Sequence, residues 1–188
     1  MEFDIARIAK LDDPLRFETL VPEVMWAALR PTDPETLVEI GAGTGMFAAR
    51  FASMAPGVTV YAVDTSPEML AWMREKRPEV ASGRVVPVLS EEARVPLPDA
   101  VADGVYMINL HHELSDPEAV YGEAFRLAKA GGRVLAVDWL PVETPKGPPL
   151  SVRIEPEDLA SALRRAGFAD ALPVPGLDWH GMAAGTKP

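Results

Sequence analysis

The segment Leu37–Ala52, LVEIGAGTGMFAARFA, constrains the fold more than any other part of this chain. Leu37–Ile40 reads as a buried strand, three glycines at alternate positions make a tight turn, and Gly45–Ala55 carries the apolar spacing of a helix. A strand, a glycine turn and a helix in that order commonly open a ligand site in an α/β sheet. The same alternation continues downstream. Val58–Val63, Arg84–Leu89, Val101–Ile108 and Arg133–Trp139 are apolar enough to be further buried strands. Helices are expected at Pro22–Leu29, from Pro67 to about Lys76, from Pro117 to a stop at Gly131-Gly132, and at Pro156–Ala166. Ser66 suits the N-cap before Pro67, and Ser115-Asp116-Pro117-Glu118 has capping-box spacing. Two short strands near 171–174 and 178–185 finish the chain, which implies a mostly parallel sheet covered on both faces.

Composition narrows the chemistry. At 188 residues the chain fits a single domain with room for a substantial core. There is no cysteine, so disulfides, thiolate metal sites and thiol nucleophiles are excluded. The net charge of −10 comes with no basic stripe, which argues against a nucleic-acid partner. No apolar run approaches the roughly 18 residues of a membrane span, and MEFDIARIAK does not read as a secretion signal. A cytoplasmic protein without a membrane partner is therefore expected.

The ligand of the glycine turn is read from what the turn lacks. In the dinucleotide pattern G-x-G-x-x-G the third glycine would stand at position 46, which is Met46, and the actual glycine is Gly45. No Gly-Lys-Ser/Thr follows, so the turn is not a P-loop. Glu39 is an acid inside an apolar strand, and such burial is costly unless a cation or backbone amides satisfy it. A ligand ammonium would do so, whereas a pyrophosphate would be repelled. Asp64, at the end of the second strand, is placed for ribose hydroxyls. Ribose together with a zwitterionic amino acid describes S-adenosyl-L-methionine.

At these residues the chain resembles a family. EIGAGTG and YAVDTSPEML are similar to the first two motifs of class I S-adenosylmethionine-dependent methyltransferases. SEEARVPLPDAVADGVYMINLHHEL and EAFRLAKAGGRVLAVDW resemble the blocks that follow, in order, over about residues 36–139. The likeness is greatest to the small UbiE-like, type 11 members. It implies a Rossmann-like, doubly wound α/β sheet of seven strands, mostly parallel with the last strand antiparallel. The corresponding organisation is one methyltransferase domain over 1–188, with an N-terminal helical cap at 1–35, a cofactor-binding core at 36–140, and a proline loop, helix and final strands at 141–188.

The resemblance also implies roles. Glu39 and the turn Gly41, Ala42, Gly43 and Gly45 would hold the methionine end, Asp64 the ribose and Thr65 the adenine edge. Asn109 and Leu110 would lie beside the methyl donor. The acid that meets the adenine amine in the family is replaced here by Ser90-Glu91-Glu92-Ala93, so Glu91 is expected in that role, with Glu92 as the alternative.

His111 and His112 follow the fourth strand, where a methyl acceptor would approach, and are the candidate general bases. His180 is a weaker one. Asp138-Trp139 could orient an acceptor or simply end the fifth strand. The segment at 141–150, with four prolines, is either a lid or an inert linker. No histidine or carboxylate spacing suggests a metal site. The expected partner is a small-molecule methyl acceptor or an exposed protein side chain. Two other readings stay open: a non-catalytic S-adenosylmethionine-binding module, and a nicotinamide-dependent oxidoreductase, against which the Gly45 spacing and the lack of a Tyr-x-x-x-Lys pair both count.

Overall fold

A computed structural model describes residues 5–188; the first four residues of the expected N-terminal cap lie outside the described residues. The chain opens with α1 (Ile5–Leu11), a 3-10 turn (Pro14–Glu18) and α2 (Pro22–Leu29). Then β1 (Thr36–Ile40), α3 (Met46–Met54), β2 (Thr59–Asp64), α4 (Pro67–Lys76), α5 (Pro78–Ala81) and β3 (Val85–Leu89) form the first half. The second half is β4 (Ala102–Ile108), α6 (Pro117–Leu127), β5 (Ala128–Trp139), α7 (Pro156–Arg165), β6 (Ala169–Val174) and β7 (His180–Thr186). The sheet has seven strands in the order β3-β2-β1-β4-β5-β7-β6. Strands β1 to β5 run parallel, and β7 is antiparallel to both β5 and β6. This is the doubly wound architecture expected from the sequence, with strand order reversing between β1 and β4.

Alternation along β1 divides the core. Leu37 packs with Met25, Leu29, Phe51, Met73 and Tyr106 on one face. Val38 and Ile40 pack with Val105, Tyr121, Leu159 and Leu163 on the other. Side chains alternate in a strand, so Glu39 points to the same face as Leu37.

Local chemistry sets the helix starts. Ser66 Oγ accepts from Met69 N at 3.2 Å, and Pro67 occupies the first turn of α4. For α6 the cap is Asp116, whose Oδ1 accepts from Ala119 N at 3.1 Å, rather than the Ser115 that the capping-box spacing suggested. α6 also stops four residues before the glycine pair, because Ala128 already pairs with Ala102 of β4. Lys129–Gly132 is then an irregularity within β5, with Gly131 at φ +75° and the register shifting between Ala102 and Gly104.

Candidate cofactor and acceptor site

The glycine turn lies at the C-terminal ends of β1 and β2. Gly41 N and Ala42 N both donate to Val63 O at 2.9 Å, folding the turn across β2. Asp64 completes it: Oδ2 accepts from Gly43 N at 2.7 Å and Oδ1 from Ser66 N at 2.9 Å. Each carboxylate oxygen keeps a further lone pair for a ligand hydroxyl. Gly41, Gly43 and Gly45 all have positive φ. A Cβ on Gly41 would sit 2.6 Å from Leu110 Cδ1, and one on Gly45 would sit 2.9 Å from Met73 Cγ, so packing as well as backbone conformation requires glycine there. At Gly43 the nearest atom to such a Cβ is Leu11 Cδ1 at 3.9 Å, an ordinary van der Waals contact, so the crest of the turn has room for a side chain but lies beneath Leu11. Thr44 is buried and accepts from Arg77 through its carbonyl at 2.9 Å and its hydroxyl at 3.3 Å. Arg77 also pairs with Asp12, tying the end of the N-terminal segment to the turn.

Glu39 is buried beneath this turn. Its Oε2 accepts from Tyr106 Oη, on the neighbouring strand, at 3.3 Å. Burial pushes its pKa up to about 8, against the lowering influence of Tyr106, Arg16 and the Ala48 amide; Asp64 adds to the rise. The group is therefore a carboxylic acid held ready to ionise beside a cation.

Asn109 has φ +55° and is fixed by its amide, which donates to Val137 O at 2.8 Å. Its Nδ2 lies 3.4 Å from His180 Nε2, while its Oδ1 is buried and has no partner among the described residues. An unpaired buried acceptor costs about 1–3 kcal/mol, a cost that a ligand donor would offset. His180 is buried against Trp139, ring centroids 4.2 Å apart, and burial lowers its pKa to about 4.

The two acids of the 91–92 pair separate. Both oxygens of Glu92 are engaged at the start of α6, accepting from Ser115 N and Oγ at 2.7 Å and from Asp116 N at 3.2 Å. Glu91 is exposed and makes only a backbone bridge with Arg94, and Thr65 is exposed at the end of β2.

The histidines divide likewise. His111 Nδ1 lies 3.1 Å from Tyr121 Oη, and burial lowers its pKa. His112 Nδ1 lies 2.7 Å from Asp138 Oδ1, a carboxylate wholly buried at the end of β5. Asp138 also accepts from the amides of His112 and Trp139. Burial works to lower the His112 pKa, but the hydrogen bond and charge of Asp138 more than offset it and hold it above the ordinary value.

Sequence reasoning named both His112 and Asp138 but not their pairing. It missed Arg16, whose guanidinium lies over the Phe47 ring, 5.1 Å from the centroid, and whose charge reaches Glu39. No local motif marks either feature. The proline segment is tied down by Arg153, which donates to Pro148 O at 2.9 Å and Val142 O at 2.6 Å and lies over Trp139.

A doubly wound sheet with a glycine turn and flanking acids at its switch point places a candidate ligand site where α/β proteins ordinarily carry one. Residues 38–136 match the type 11 "Methyltransferase domain" family model, and the chain belongs to that family. It is thereby a methyltransferase domain of the class I S-adenosylmethionine-dependent kind, whose cofactor is S-adenosylmethionine, and it is similar to UbiE-like proteins. Among relatives, the demethylmenaquinone methyltransferase of Thermus thermophilus is 33% identical over 115 residues, which is 61% of this chain and 50% of the relative. The UbiE ubiquinone/menaquinone biosynthesis C-methyltransferase of Caulobacter vibrioides is 34% identical over 125 residues, 60% of this chain and 47% of the relative. The chain thus spans about half the length of the curated relatives it matches. A crystal structure of a SAM-dependent methyltransferase from Aquifex aeolicus superposes with a TM-score of 0.89 at 29% identity, covering 100% of both chains. No helix among the described residues is long and apolar enough to cross a membrane.

Proposed function

We propose that this chain, acting as one methyltransferase unit, moves the methyl group of S-adenosylmethionine to a hydroxylated aromatic small molecule, with His112 as general base and Asp138 as its positioning residue. The residues present suit the cofactor. Glu39 is a buried acid with a single weak side-chain hydrogen bond, and Asn109 Oδ1 lacks a donor among the described residues. In this reading Gly41–Gly45 and Glu39 receive the methionine end, Asp64 the ribose, and Thr65 and Glu91 the adenine; Glu92 is already committed to α6. Asn109 and Leu110 border the methyl donor.

Bound S-adenosylmethionine supplies an activated methyl group, so the protein's work is alignment, exclusion of water and removal of one proton. The observation that carries the acceptor reading is the 2.7 Å contact between His112 and Asp138. Asp138 fixes Nδ1 as the protonated nitrogen and leaves Nε2 as the base. Taking a phenolic proton at Nε2 would raise the electron density of the acceptor, so that it could receive the methyl group that bound S-adenosylmethionine would supply. Relatives named for demethylmenaquinone and for ubiquinone/menaquinone C-methylation support a reduced, hydroxylated quinone as the acceptor. Val142, Leu150 and Val152, exposed on the tied proline segment beyond Trp139, add apolar surface beside this end of the sheet.

The test is label transfer from methyl-labelled S-adenosylmethionine to a panel of hydroquinols, catechols and simple amines. The reading expects label on ring carbon or oxygen of the hydroxylated aromatics, lost in His112→Ala. Transfer to amines alone, undiminished in that variant, would overturn it. Tight cofactor binding with no transfer to any acceptor would favour a non-catalytic binding module.

A further inference from the structure

The two histidines that follow β4 differ in which ring nitrogen carries the proton. Both belong to the 3-10 turn His111–Glu113. His112 Nδ1 meets Asp138 Oδ1 at 2.7 Å. An ionised carboxylate only accepts, so this nitrogen donates and Nε2 keeps the lone pair. For His111 the partner is Tyr121 of α6, whose Oη lies 3.1 Å from Nδ1. Tyr121 is buried in the core behind β4 and β5, with its ring centroid 5.8 Å from that of His111. Among the described residues this nitrogen is the one acceptor its hydroxyl reaches. A buried hydroxyl proton without an acceptor is costly, whereas an unused lone pair is tolerated more readily. Tyr121 therefore donates, His111 Nδ1 holds the lone pair, and the His111 proton sits on Nε2. Burial favours this neutral form, with His112 and Arg165 acting in the same sense and Asp138 and Asp158 against it.

His111 Nε2 has no partner among the described residues and is not closed off from solvent. His112 Nε2 lies 4.0 Å from Glu113 Oε1, on a side chain that is 11% exposed. Consecutive residues thus display one N–H donor and one lone pair. A ring with a single hydroxyl can use the lone pair and leaves the donor idle; a ring with two oxygens can use both. We propose that Tyr121 locks His111 as a hydrogen-bond donor, and that His111 selects methyl acceptors bearing a second ring oxygen in addition to the hydroxyl that yields its proton to His112. This rests on the hydroxylated-aromatic reading above and deepens it from one oxygen to two. It also makes His111 a specificity residue and not a second base, because its Nδ1 is spent on Tyr121 and its Nε2 already holds a proton. Tyr121 is a positioning residue, acting only through the His111 ring.

Nitrogen NMR of the full chain with isotope-labelled histidines reads the tautomers. In mildly alkaline solution His111 should show a protonated Nε2 and a bare Nδ1, and His112 the reverse. In Tyr121→Phe the His111 signals should move towards a mixture of tautomers while those of His112 stay. Steady-state methyl transfer to hydroquinone, catechol and phenol reads the selection. The better dihydroxylated ring should have a KM about 10-fold below that of phenol, the scale of one hydrogen bond. His111→Phe should bring the KM values together, and His111→Gln, whose amide still donates, should restore part of the gap. A protonated Nδ1 on His111, or a KM gap that survives in His111→Phe, would overturn the proposal. Transfer by the wild type to none of the three rings would instead overturn the hydroxylated-aromatic reading, whatever tautomer His111 shows.

Discussion

The two ends of the sheet differ in how completely their polar groups are satisfied. At the N-terminal end, Asp103 accepts from Glu35 N and Thr36 N at 2.9 Å each and from Lys129 Nζ at 2.5 Å. Arg133 there donates to Leu29 O at 3.0 Å and to Thr186, and Lys187 Nζ closes on the carbonyls of Phe125 and Ala128. At the C-terminal end, among the described residues, Glu39 has one side-chain bond of 3.3 Å, Asn109 Oδ1 has none, and His180 reaches only Asn109 among side chains, at 3.4 Å. Buried polar groups are ordinarily paired, so Glu39, Asn109 and His180 stand out at an end where both oxygens of Asp64 and of Asp138 are engaged. The proposed binding groups thus lie at one end of the strands and the chain-closing groups at the other.

Substitutions should break along that line. The largest effect is expected at the acceptor side. His112→Ala should lower kcat by about 10²–10⁴-fold, the usual worth of a general base, with S-adenosylhomocysteine affinity unchanged. Asp138→Asn should follow in the same direction. Because Asp138 raises the His112 pKa and the base acts when neutral, its loss should move the acid limb of the pH–rate profile to lower pH. A coincident fall in cofactor affinity would contradict the separation.

At the opposite end, Asp103→Ala should cost about 1–3 kcal/mol of stability in thermal or urea unfolding, since it leaves two backbone amides and Lys129 without their acceptor. Cofactor binding should not change. The ordering of the two ends would be wrong if this variant instead lost affinity at full stability.

A pH effect is expected at Glu39. Its folded pKa of about 8 lies above the unfolded value, so the native state binds the extra proton between about pH 4.5 and 8. Stability should therefore fall as pH rises through that window, by up to about 1.4 kcal/mol per pH unit for one proton. Tyr106, Arg16, Asp64 and the Ala48 amide are the groups that act on it, and Glu39→Gln should flatten the slope without altering them. A slope that survives in the variant would assign the titration to another group. The smallest effect belongs to Asn109→Gly, which removes the unpaired oxygen and relieves a positive φ. Stability should hold or rise by up to about 1 kcal/mol, while methyl transfer falls. A clear loss of stability would mean that Asn109 is structural.

Much of the frame was legible in the chain because its signals are local. Pro22, Pro67 and Pro156 start helices, β-branched runs make the strands, and the spacing of Gly41, Gly43 and Gly45 with Glu39 and Asp64 all lies within one strand–turn–helix–strand unit. The end of α6 was misplaced because Ala128 has high helix propensity, and only its pairing with Ala102 draws it into β5. Between Glu91 and Glu92 the sequence could not choose; contacts from Ser115 and Asp116 occupy the second. The His112–Asp138 pair joins residues 26 positions apart, and the charge of Arg16 acts on Glu39 only because the 3-10 turn packs against α3 beside the glycine turn. Such juxtapositions are products of tertiary packing, and no spacing rule announces them.

The central claim is that the C-terminal end of this sheet receives adenosine joined to an amino acid, anchored by Asp64, with no place for a diphosphate. Calorimetric titration of the wild type and Asp64→Ala with S-adenosylhomocysteine and with NAD tests it most directly. Saturable binding of S-adenosylhomocysteine, none of NAD, and at least about 10-fold weaker binding in the variant are predicted. Binding of NAD, or full affinity for S-adenosylhomocysteine without the Asp64 carboxylate, would contradict it.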